Sequence, residues 1–543
     1  MTVSPRSPAP PRSLDAIALL LLVLAFAFRV YRLDVPFVDA HSWRQVTNAD
    51  IARLWAEGPI DFLYPSVSWG GPDGRVGLEF PLLHLLMALV WKVAGLSNAA
   101  GRLVPVAFSV LTVWFTYRLG CRLFGTAAGR GAAFLMAVSP SVVYFGRTPL
   151  SDTPMLCFSV GAVLGFYAYA QEGRARDALG GVVALALAGL VKLPAILVLG
   201  PVLWTGFATR GLKRTLADPW YVSGTIAAVG AIGVWYLHAD QIYLETGLTQ
   251  AIFRPSGTYP PEIAQFAGRF TTVSHWTRAD LLTWETTKEL LLRYWALHLT
   301  PLFTLVTLAG FVRWQWSWRT RSIVDIWALA AASLVVVSLA GQIPHEFHQL
   351  PTLPPLALYF GMGAAPLFGG ALYERHGTTR RLALAAAVAL VLGSAALVGF
   401  RDSGVIEHLY RPDNMNQAVI DAGWAIDRVT PQGALVVTVE YEQHGSNSPM
   451  VLYYAHRHGW SFDATSISQG VAEHLRDRYN ACHLVVADWP TFTAWRPDMA
   501  AWLATRTPVE LPYTLDRYRL FDLGCAAVTS GARRAFRDIT VGG

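Results

Sequence analysis

The stretch ALGGVVALALAGLVKLPAILVLGPVLWTGFA, residues 178–208, is apolar except at Lys192, which stands two residues before Pro194. A charged residue beside a proline disfavours one continuous helix through a bilayer. Arg174 before the stretch and Arg214 after it belong to basic clusters of the kind retained in the cytoplasm. We therefore predict two short membrane helices hinged at Lys192, because one crossing would place these clusters on opposite faces. Lys192 then lies near the outer surface.

The composition of the whole chain agrees with a membrane protein. Of its 543 residues, 53% are hydrophobic and only 15% are charged, and 20 are tryptophan. This balance excludes an ordinary soluble enzyme and indicates many membrane spans. The net charge of +6 does not indicate nucleic-acid binding, since the basic residues form short clusters between apolar runs, as in cytoplasmic loops.

Apolar runs and basic clusters together predict about eleven transmembrane helices, with the amino terminus inside and the carboxyl terminus outside. The segment 80–94 has about the length of a short helix, but a crossing of the membrane there would invert the side of every later segment. We therefore expect a juxtamembrane helix there. The first run is preceded by basic residues but lacks a cleavage site, so it is a retained helix behind a cytoplasmic leader, residues 1–13. Besides the two short helices of 178–208, the predicted spans are 14–33, 103–124, 127–146, 153–171, 221–238, 290–312, 322–341, 350–371 and 381–400.

Beyond the transmembrane domain, residues 14–400, the sequence changes to a mixed polar and apolar pattern. We expect residues 401–543 to form an extracytoplasmic α/β domain of ordinary size. The pattern predicts helices at 413–429 and 448–456, the second followed by Gly459, and strands at 434–440, 483–488 and 516–523. Cys482 and Cys525 could pair in this domain or remain two buried thiols.

The predicted topology brings ionisable residues from five separate places to the outer face. An ionisable residue at membrane depth is by default a candidate for a functional site. These residues are Asp39, His41 and Arg44; Glu79; Arg147 and Asp152; Lys192; and His345, Glu346 and His348.

Each of these residues also has a simpler interpretation. Lys192 could be a lysine that extends to the interface, and Arg147 with Asp152 could form a surface ion pair of little value. Asp39 could be a loop charge, and Glu79 could only favour the dipole of the helix that follows.

His345 and His348 lie three residues apart, a spacing at which two histidines can share a helical face and bind zinc. With one acid between them they make an incomplete ligand set, and the segment also opens a span.

The chain resembles the GT-C superfamily of polytopic membrane glycosyltransferases, near the protein O-mannosyltransferases and the lipid A aminoarabinose transferases. The resemblance lies in an acid in the first outer loop, Asp39, and in the turn Glu79-Phe80-Pro81-Leu82-Leu83. It extends to Arg147-Thr148-Pro149-Leu150-Ser151-Asp152, to Gly189-Leu190-Val191-Lys192-Leu193-Pro194, and to residues 345–355. The resemblance covers about 14–400, and the terminal domain matches only loosely.

The resemblance implies a multi-pass enzyme of the bacterial inner membrane that takes a hexosyl or pentosyl group from a polyprenyl-phosphate carrier. The acceptor would be a lipid, a glycan or a protein at the outer face, and no nucleic acid is involved. Asp39 would be the general base, Glu79 and Asp152 its catalytic neighbours, and Lys192 a contact for the lipid phosphate. Arg44, Arg147, His41, His345 and His348 are further candidates for substrate binding.

The resemblance implies no cofactor. Family members often carry two adjacent acids in the first loop, whereas Ala40 and His41 follow Asp39 here. This departure weakens the expectation of a carboxylate-bound divalent metal.

A different class of protein, a flippase or transporter of lipid-linked sugars, also needs many spans and intramembrane charges. Transporters tend to have repeated halves and charges near the bilayer midplane. Here no repeat is evident and the charges gather on one side, which favours the enzyme.

Overall fold

The computed structural model describes residues 15–248, 263, 279–313, 317–369, 378–402, 404, 409–410, 414–440, 448–511 and 517–525. The predicted leader lies outside them. The chain divides into two compact units. The first, which we call the membrane unit, comprises residues 1–40, 79–238 and 273–411. The second, which we call the sheet unit, comprises residues 41–78, 239–272 and 412–543.

Helices account for most of the described chain. In order they are α1 (Ala16–Arg29), α2 (Ser42–Glu57), α3 (Leu82–Ala94), α4 (Asn98–Phe124), α5 (Thr126–Val138), α6 (Pro140–Phe145), α7 (Asp152–Glu172), α8 (Ala175–Val191), α9 (Leu199–Arg210), α10 (Leu212–Leu216), α11 (Thr225–Thr246), α12 (Trp284–Arg293), α13 (Pro301–Val312), α14 (Trp318–Val337), α15 (Leu339–Gln342), α16 (Leu353–Phe368), α17 (Thr378–Asp402), α18 (Asn414–Val429), α19 (Met450–Tyr454), α20 (Gln469–Tyr479), α21 (Trp489–Trp495) and α22 (Pro497–Leu503).

Six helical segments among the described residues are long and apolar enough to cross a membrane, which makes the chain a multi-pass membrane protein. A seventh is obtained when the pair Trp284–His298 and Pro301–Val312, bent by 102°, counts as one span. The helices α1, α3 and α5 are apolar but shorter. The count of eleven spans therefore stays a prediction. The six segments are Asn98–Phe124, Asp152–Glu172, Leu193–Arg210, Trp220–Thr246, Trp318–Val337 and Ala383–Asp402.

The predicted break at Lys192 is present. Helix α8 ends at Val191, and Lys192 has an extended backbone with φ −161° and ψ 113°. A 3₁₀ segment, Leu193–Val198, follows and leads into α9. Pro194 lacks a backbone N–H and cannot continue the hydrogen-bond ladder of α8, which explains why the helix ends here.

The membrane unit is held together by close helix packing around a shared apolar core. Helices α5 and α16 approach at Gly361, where a Cβ atom would lie 2.3 Å from the carbonyl oxygen of Ala128. Only glycine fits there. Small residues at such crossings let backbones approach when no hydrophobic force acts between helices in lipid.

The sheet unit contains the predicted small α/β domain. Its strands are β1 (Leu435–Val439), β2 (His458–Phe462), β3 (His483–Val486), β4 (Thr507–Val509) and β5 (Arg519–Asp522). They form one sheet in the order β2-β1-β3-β5-β4. Strand β1 is parallel to β2 and β3, whereas β5 is antiparallel to β3 and β4. Helix α18 and strands β1, β3 and β5 agree with the sequence predictions.

Strand β2 was not predicted, because the sequence suggested that Gly459 ends a helix. Gly459 instead lies inside β2, and its N–H donates to the Ser68 carbonyl at 2.9 Å. Its own carbonyl accepts from the N–H of Gly71 at 2.7 Å. Residues from the first outer loop thus cover the edge of the sheet, which protects an otherwise open strand.

The loop is fixed there by a buried polar cluster. Asp50 accepts hydrogen bonds from the Ser68 N–H at 2.6 Å and hydroxyl at 2.7 Å, and it pairs with Arg53 at 2.9 Å. Asp50 and Arg53 are almost fully buried, so the pair is worth far more than a surface contact.

Cys482 and Cys525 form a disulfide with their Cα atoms 5.5 Å apart. It ties the residue before β3 to the end of the described chain. The other two cysteines, Cys121 and Cys157, are buried and free.

Membrane sidedness can be measured with single cysteines in the membrane unit. Ser97 and Ala175 are exposed, and the topology places them outside and inside the cell. In intact cells a membrane-impermeant maleimide should label Ser97→Cys, and it should label Ala175→Cys only after permeabilisation. The native thiols are buried or oxidised and give little background. Labelling of both positions in intact cells would contradict the topology.

Glu440 gives the sheet unit a pH-dependent stability. Its side chain accepts the Val451 N–H, and burial raises the pKa of Glu440 from 4.5 to about 7. The folded state therefore holds the proton more tightly than the unfolded chain. The contribution of protonated Glu440 to the stability of the sheet unit is complete below pH 4.5, and it is lost as the pH rises through about 7.

We expect Glu440→Gln, which keeps the shape without the charge, to match the native protein at pH 5. At pH 8 the variant should be more stable by on the order of 3 kcal/mol. Hydrogen exchange of peptides from β1 and β2, compared between the two proteins at each pH, measures this. Equal protection at pH 8 would show that Glu440 is not a buried acid.

Candidate functional site

Asp39 lies just after α1 and is held between two arginines. Its Oδ2 atom is 2.6 Å from Nη2 of Arg147, and Nη2 of Arg102 lies 3.3 Å from Oδ1. All three side chains are fully buried. A buried charge is tolerated only when it is paired and hydrogen-bonded, so these three groups depend on one another.

Aromatic rings surround the two guanidinium groups. Arg147 lies 4.4 Å from the ring centroid of Tyr410 and 5.6 Å from that of Tyr144, and Arg102 lies 4.7 Å from that of Phe37. These contacts add cation–π stabilisation to the two guanidinium groups. Arginine side chains are also well suited to bind a phosphate.

A second ion pair joins Lys192 to Asp152, the first residue of α7. Nζ of Lys192 lies 2.7 Å from Oδ1 and 2.6 Å from Oδ2 of the carboxylate. The Asp152 side chain is 3% exposed and that of Lys192 is 14% exposed. Neither ion pair lies on the surface, and Arg147 and Asp152 pair with partners distant in sequence.

Phe347 contacts Lys192 and the chain segment that precedes Arg147. Its ring centroid is 5.0 Å from Nζ of Lys192 and 5.9 Å from that of Phe145, two residues before Arg147. His345 stacks on Phe347 at 5.1 Å, and His348 meets its edge at 4.6 Å. The structure therefore gathers Asp39, Arg147, Asp152, Lys192, His345 and His348 into one region of the membrane unit.

Glu79 is half-buried near the same region. It precedes Phe80, whose N–H donates to the carbonyl of Leu190 at 3.0 Å, two residues before Lys192. His41 and Arg44 belong to the sheet unit. His41 has a left-handed backbone with φ 59° at the start of α2, and Arg44 is buried in the first turn of that helix.

Sequence reasoning missed Arg102, Tyr410 and Phe347. Arg102 carried a usable signal, because it lies in α4 among apolar residues, where an ionisable group is expensive. Placing the start of that span at residue 103 left it out. Tyr410 and Phe347 are ordinary aromatic residues, and only tertiary packing reveals their contacts.

Within the described residues, no group of three or more His, Cys, Asp or Glu side chains could hold a metal ion. The rings of His345 and His348 are 5.2 Å apart and nearly perpendicular. His348 Nδ1 lies 2.9 Å from the carbonyl oxygen of Gly341.

This helical membrane unit, with its two buried ion pairs and a separate sheet unit, has the architecture that the sequence resemblance to GT-C glycosyltransferases predicts. A family model described as dolichyl-phosphate-mannose-protein mannosyltransferase matches residues 79–236. That range begins at Glu79 and contains Arg147, Asp152 and Lys192. No curated protein sequence matches the chain.

Solved structures resemble the chain over nearly its whole length. ArnT from Cupriavidus metallidurans in the apo state is 14% identical with a TM-score of 0.63, and the match covers 94% of this chain and 98% of that one. The same protein bound to undecaprenyl phosphate gives a TM-score of 0.60 at 14% identity, with the same coverage.

The archaeal oligosaccharyltransferase AglB from Archaeoglobus fulgidus, in complex with an inhibitory peptide and a dolichol-phosphate, is more distant. It is 13% identical with a TM-score of 0.54, and the match covers 94% of this chain and 75% of that one. The chain therefore has the GT-C fold, and the resemblance drawn from its sequence is confirmed.

Breaking the Lys192–Asp152 pair should destabilise the membrane unit. Lys192→Met leaves a buried carboxylate without its cation, which costs about 3 kcal/mol for a pair of this kind. Adding Asp152→Asn to Lys192→Met removes the buried negative charge and should restore more than half of the lost stability. Thermal unfolding of the purified variants in detergent measures both effects. A double variant no more stable than Lys192→Met would argue against a direct pair.

Proposed function

We propose that the protein transfers a sugar from a polyprenyl-phosphate carrier to an acceptor at the outer face of the bacterial inner membrane. The observation that carries this proposal is the Lys192–Asp152 pair, which stands at a break between membrane helices. The GT-C fold, shared with an ArnT structure that holds undecaprenyl phosphate, supports it.

A carrier needs a polar site for its phosphate beside an apolar site for its chain. A small apolar cleft is lined by Met155, three residues after Asp152, and by Pro194, two residues after Lys192. Its other lining residues include Trp327 and Leu334, and they are almost all apolar. The isoprenoid would lie in this cleft, and its phosphate would meet the Lys192 ammonium.

The proposed reaction is a single displacement. The acceptor hydroxyl gives its proton to Asp39 as its oxygen attacks the anomeric carbon. The bond from that carbon to the phosphate oxygen breaks, and its electrons leave with the polyprenyl phosphate. A phosphate leaves as a stable anion, so the reaction needs cations rather than an acid catalyst, a role we assign to Lys192 and Arg147. The configuration at the anomeric carbon is inverted, by analogy with carboxylate-assisted sugar chemistry.

Asp39 must exchange a partner before it can act as the base. In the structure its carboxylate faces the guanidinium groups of Arg102 and Arg147 and is fully buried. We propose that Arg147 turns to the carrier phosphate, so that Asp39 remains on Arg102 and gains the acceptor hydroxyl. This exchange leaves no buried charge unpaired.

We propose supporting roles for the remaining candidates. Glu79 and Asp152 would be the carboxylates next to the reacting sugar, with Asp152 also orienting Lys192. His41, Arg44, His345 and His348 would bind the sugar or the acceptor. Donor sugars from the hexose and pentose classes, and lipid, glycan or protein acceptors, all supply the groups this reaction needs. A comparison of envelope glycans by mass spectrometry, with and without the gene, identifies them.

Replacement of Asp39 separates the enzyme from the rival flippase. Asp39→Asn keeps the shape but removes the base, so turnover should fall by about 10² to 10⁴ while undecaprenyl phosphate still binds. Asp177→Asn, which removes a half-buried partner of the exposed Arg174, is the control and should retain activity.

The measurements are radiolabelled sugar transfer and lipid binding on protein that is monodisperse in gel filtration. A flippase would show loss of translocation and no transferase activity in the native protein. Retention of the anomeric configuration in the product would refute the inverting mechanism.

A further inference from the structure

Arg29, the last residue of α1, is a fully buried arginine whose hydrogen bonds all go to neutral oxygen atoms in the described part of the chain. Nε donates to the Ser109 hydroxyl at 2.7 Å. Nη1 donates to the carbonyls of Ala25 at 2.9 Å and Ala137 at 3.1 Å. Nη2 donates to those of Met136 at 2.9 Å and Val142 at 3.4 Å. All five N–H groups of the guanidinium are thus used.

Two of the carbonyls that Arg29 meets, those of Met136 and Ala137, lie at a helix break. Helix α5 ends at Val138 and α6 starts at Pro140. In a continuous helix the Met136 carbonyl would accept from the N–H of residue 140, but proline has none. The exposed carbonyls at a helix end also carry partial negative charge, which favours a cation. Arg29 therefore caps α5 from a different helix.

The same guanidinium fixes the residue before Arg147. The carbonyl of Val142 accepts from the N–H of Gly146 at 2.9 Å as well as from Arg29. A Cβ atom on Gly146 would lie 2.8 Å from Nε of Arg29 and 2.4 Å from the Ser109 hydroxyl oxygen. Gly146 is thus packed directly against Arg29, and Arg147 follows it in the chain.

We propose that Arg29 is a positioning residue that holds the broken α5–α6 helix so that Arg147 meets Asp39; its effect on catalysis rests on the proposed function. Arg29 does not touch the reacting groups. A helix can end at a glycine or an asparagine at little cost. Burying a guanidinium costs far more free energy than such a cap. Its presence here is explained by the several chain segments that its hydrogen bonds join.

Chemical labelling of arginine tests the positioning without any enzyme assay. Phenylglyoxal modifies accessible guanidinium groups, and peptide mass spectrometry reads each site. In the native protein Arg147 should be protected. In Arg29→Gln its labelling rate should rise at least tenfold, while exposed Arg174 stays constant. Arg122→Gln, which removes a buried arginine paired with Glu172 at 2.6 Å, is the control and should leave Arg147 protected. Protection of Arg147 in folded Arg29→Gln would overturn the proposal.

Gly146→Ala provides a second variant in case Arg29→Gln does not fold. Its methyl group would lie 2.4 Å from the Ser109 hydroxyl oxygen and from the Val142 carbonyl oxygen, and 2.8 Å from Nε of Arg29. These contacts between Arg29 and the α6 segment must shift, so Arg147 should again become accessible. The double variant should show no larger effect than either change alone, because both act through one contact. Unchanged protection of Arg147 in Gly146→Ala, or additive effects in the double variant, would count against the proposal.

Measurements of turnover test whether the positioning by Arg29 affects catalysis. With a polyprenyl-phosphate sugar as donor, Arg29→Gln should lower kcat at least tenfold. The Kd for undecaprenyl phosphate should weaken by less than kcat falls, because Lys192 still binds the phosphate although Arg147 is displaced. A Kd that weakens in parallel with kcat would indicate general structural damage and overturn the positioning role. If the native protein transfers no sugar, the proposed function fails, whereas the labelling result still decides whether Arg29 positions Arg147.

Discussion

The carboxylate of Asp39 is buried between the guanidinium groups of Arg102 and Arg147, and the packing of several helix ends depends on this contact. Arg102 lies in α4, Arg147 follows α6, and Asp39 follows α1. Removing Asp39 would take the shared carboxylate from two buried arginines in a region of low dielectric. The contact thus fixes three segments that are far apart in sequence.

Two ion pairs of different composition lie in this region. Lys192 pairs with Asp152, whereas Asp39 contacts two arginines, Arg102 and Arg147. Arg147 also packs against the rings of Tyr144 and Tyr410. Under the proposed function, Lys192 and Arg147 would supply the cations that a carrier phosphate needs beside an apolar cleft.

The sequence predicted the elements with strong local signals and missed those decided by tertiary contacts. The break at Lys192 follows from a charge beside a proline, and β1 follows from a run of buried apolar residues. Strand β2 was missed because a glycine and polar residues weaken its pattern, and its pairing with the first outer loop is long-range. The partners of Arg147 and Asp152 were also unpredictable, since proximity in sequence suggested that they pair with each other. The disulfide joins cysteines 43 residues apart, and spacing alone could not decide it.

The pairing of Asp39 also bears on when the proposed base would become available. Both oxygens of its carboxylate face guanidinium groups, so under the proposed function Arg147 would have to leave before an acceptor hydroxyl could bind there. A carrier phosphate would offer Arg147 a replacement anion, and Asp39 would then be available only when the donor is present. This exchange would keep the buried carboxylate on Arg102 and avoid the several kcal/mol that an unpaired ion costs. The capping of α5 by Arg29 would then matter because Arg147 would alternate between two anions while its backbone stays in place.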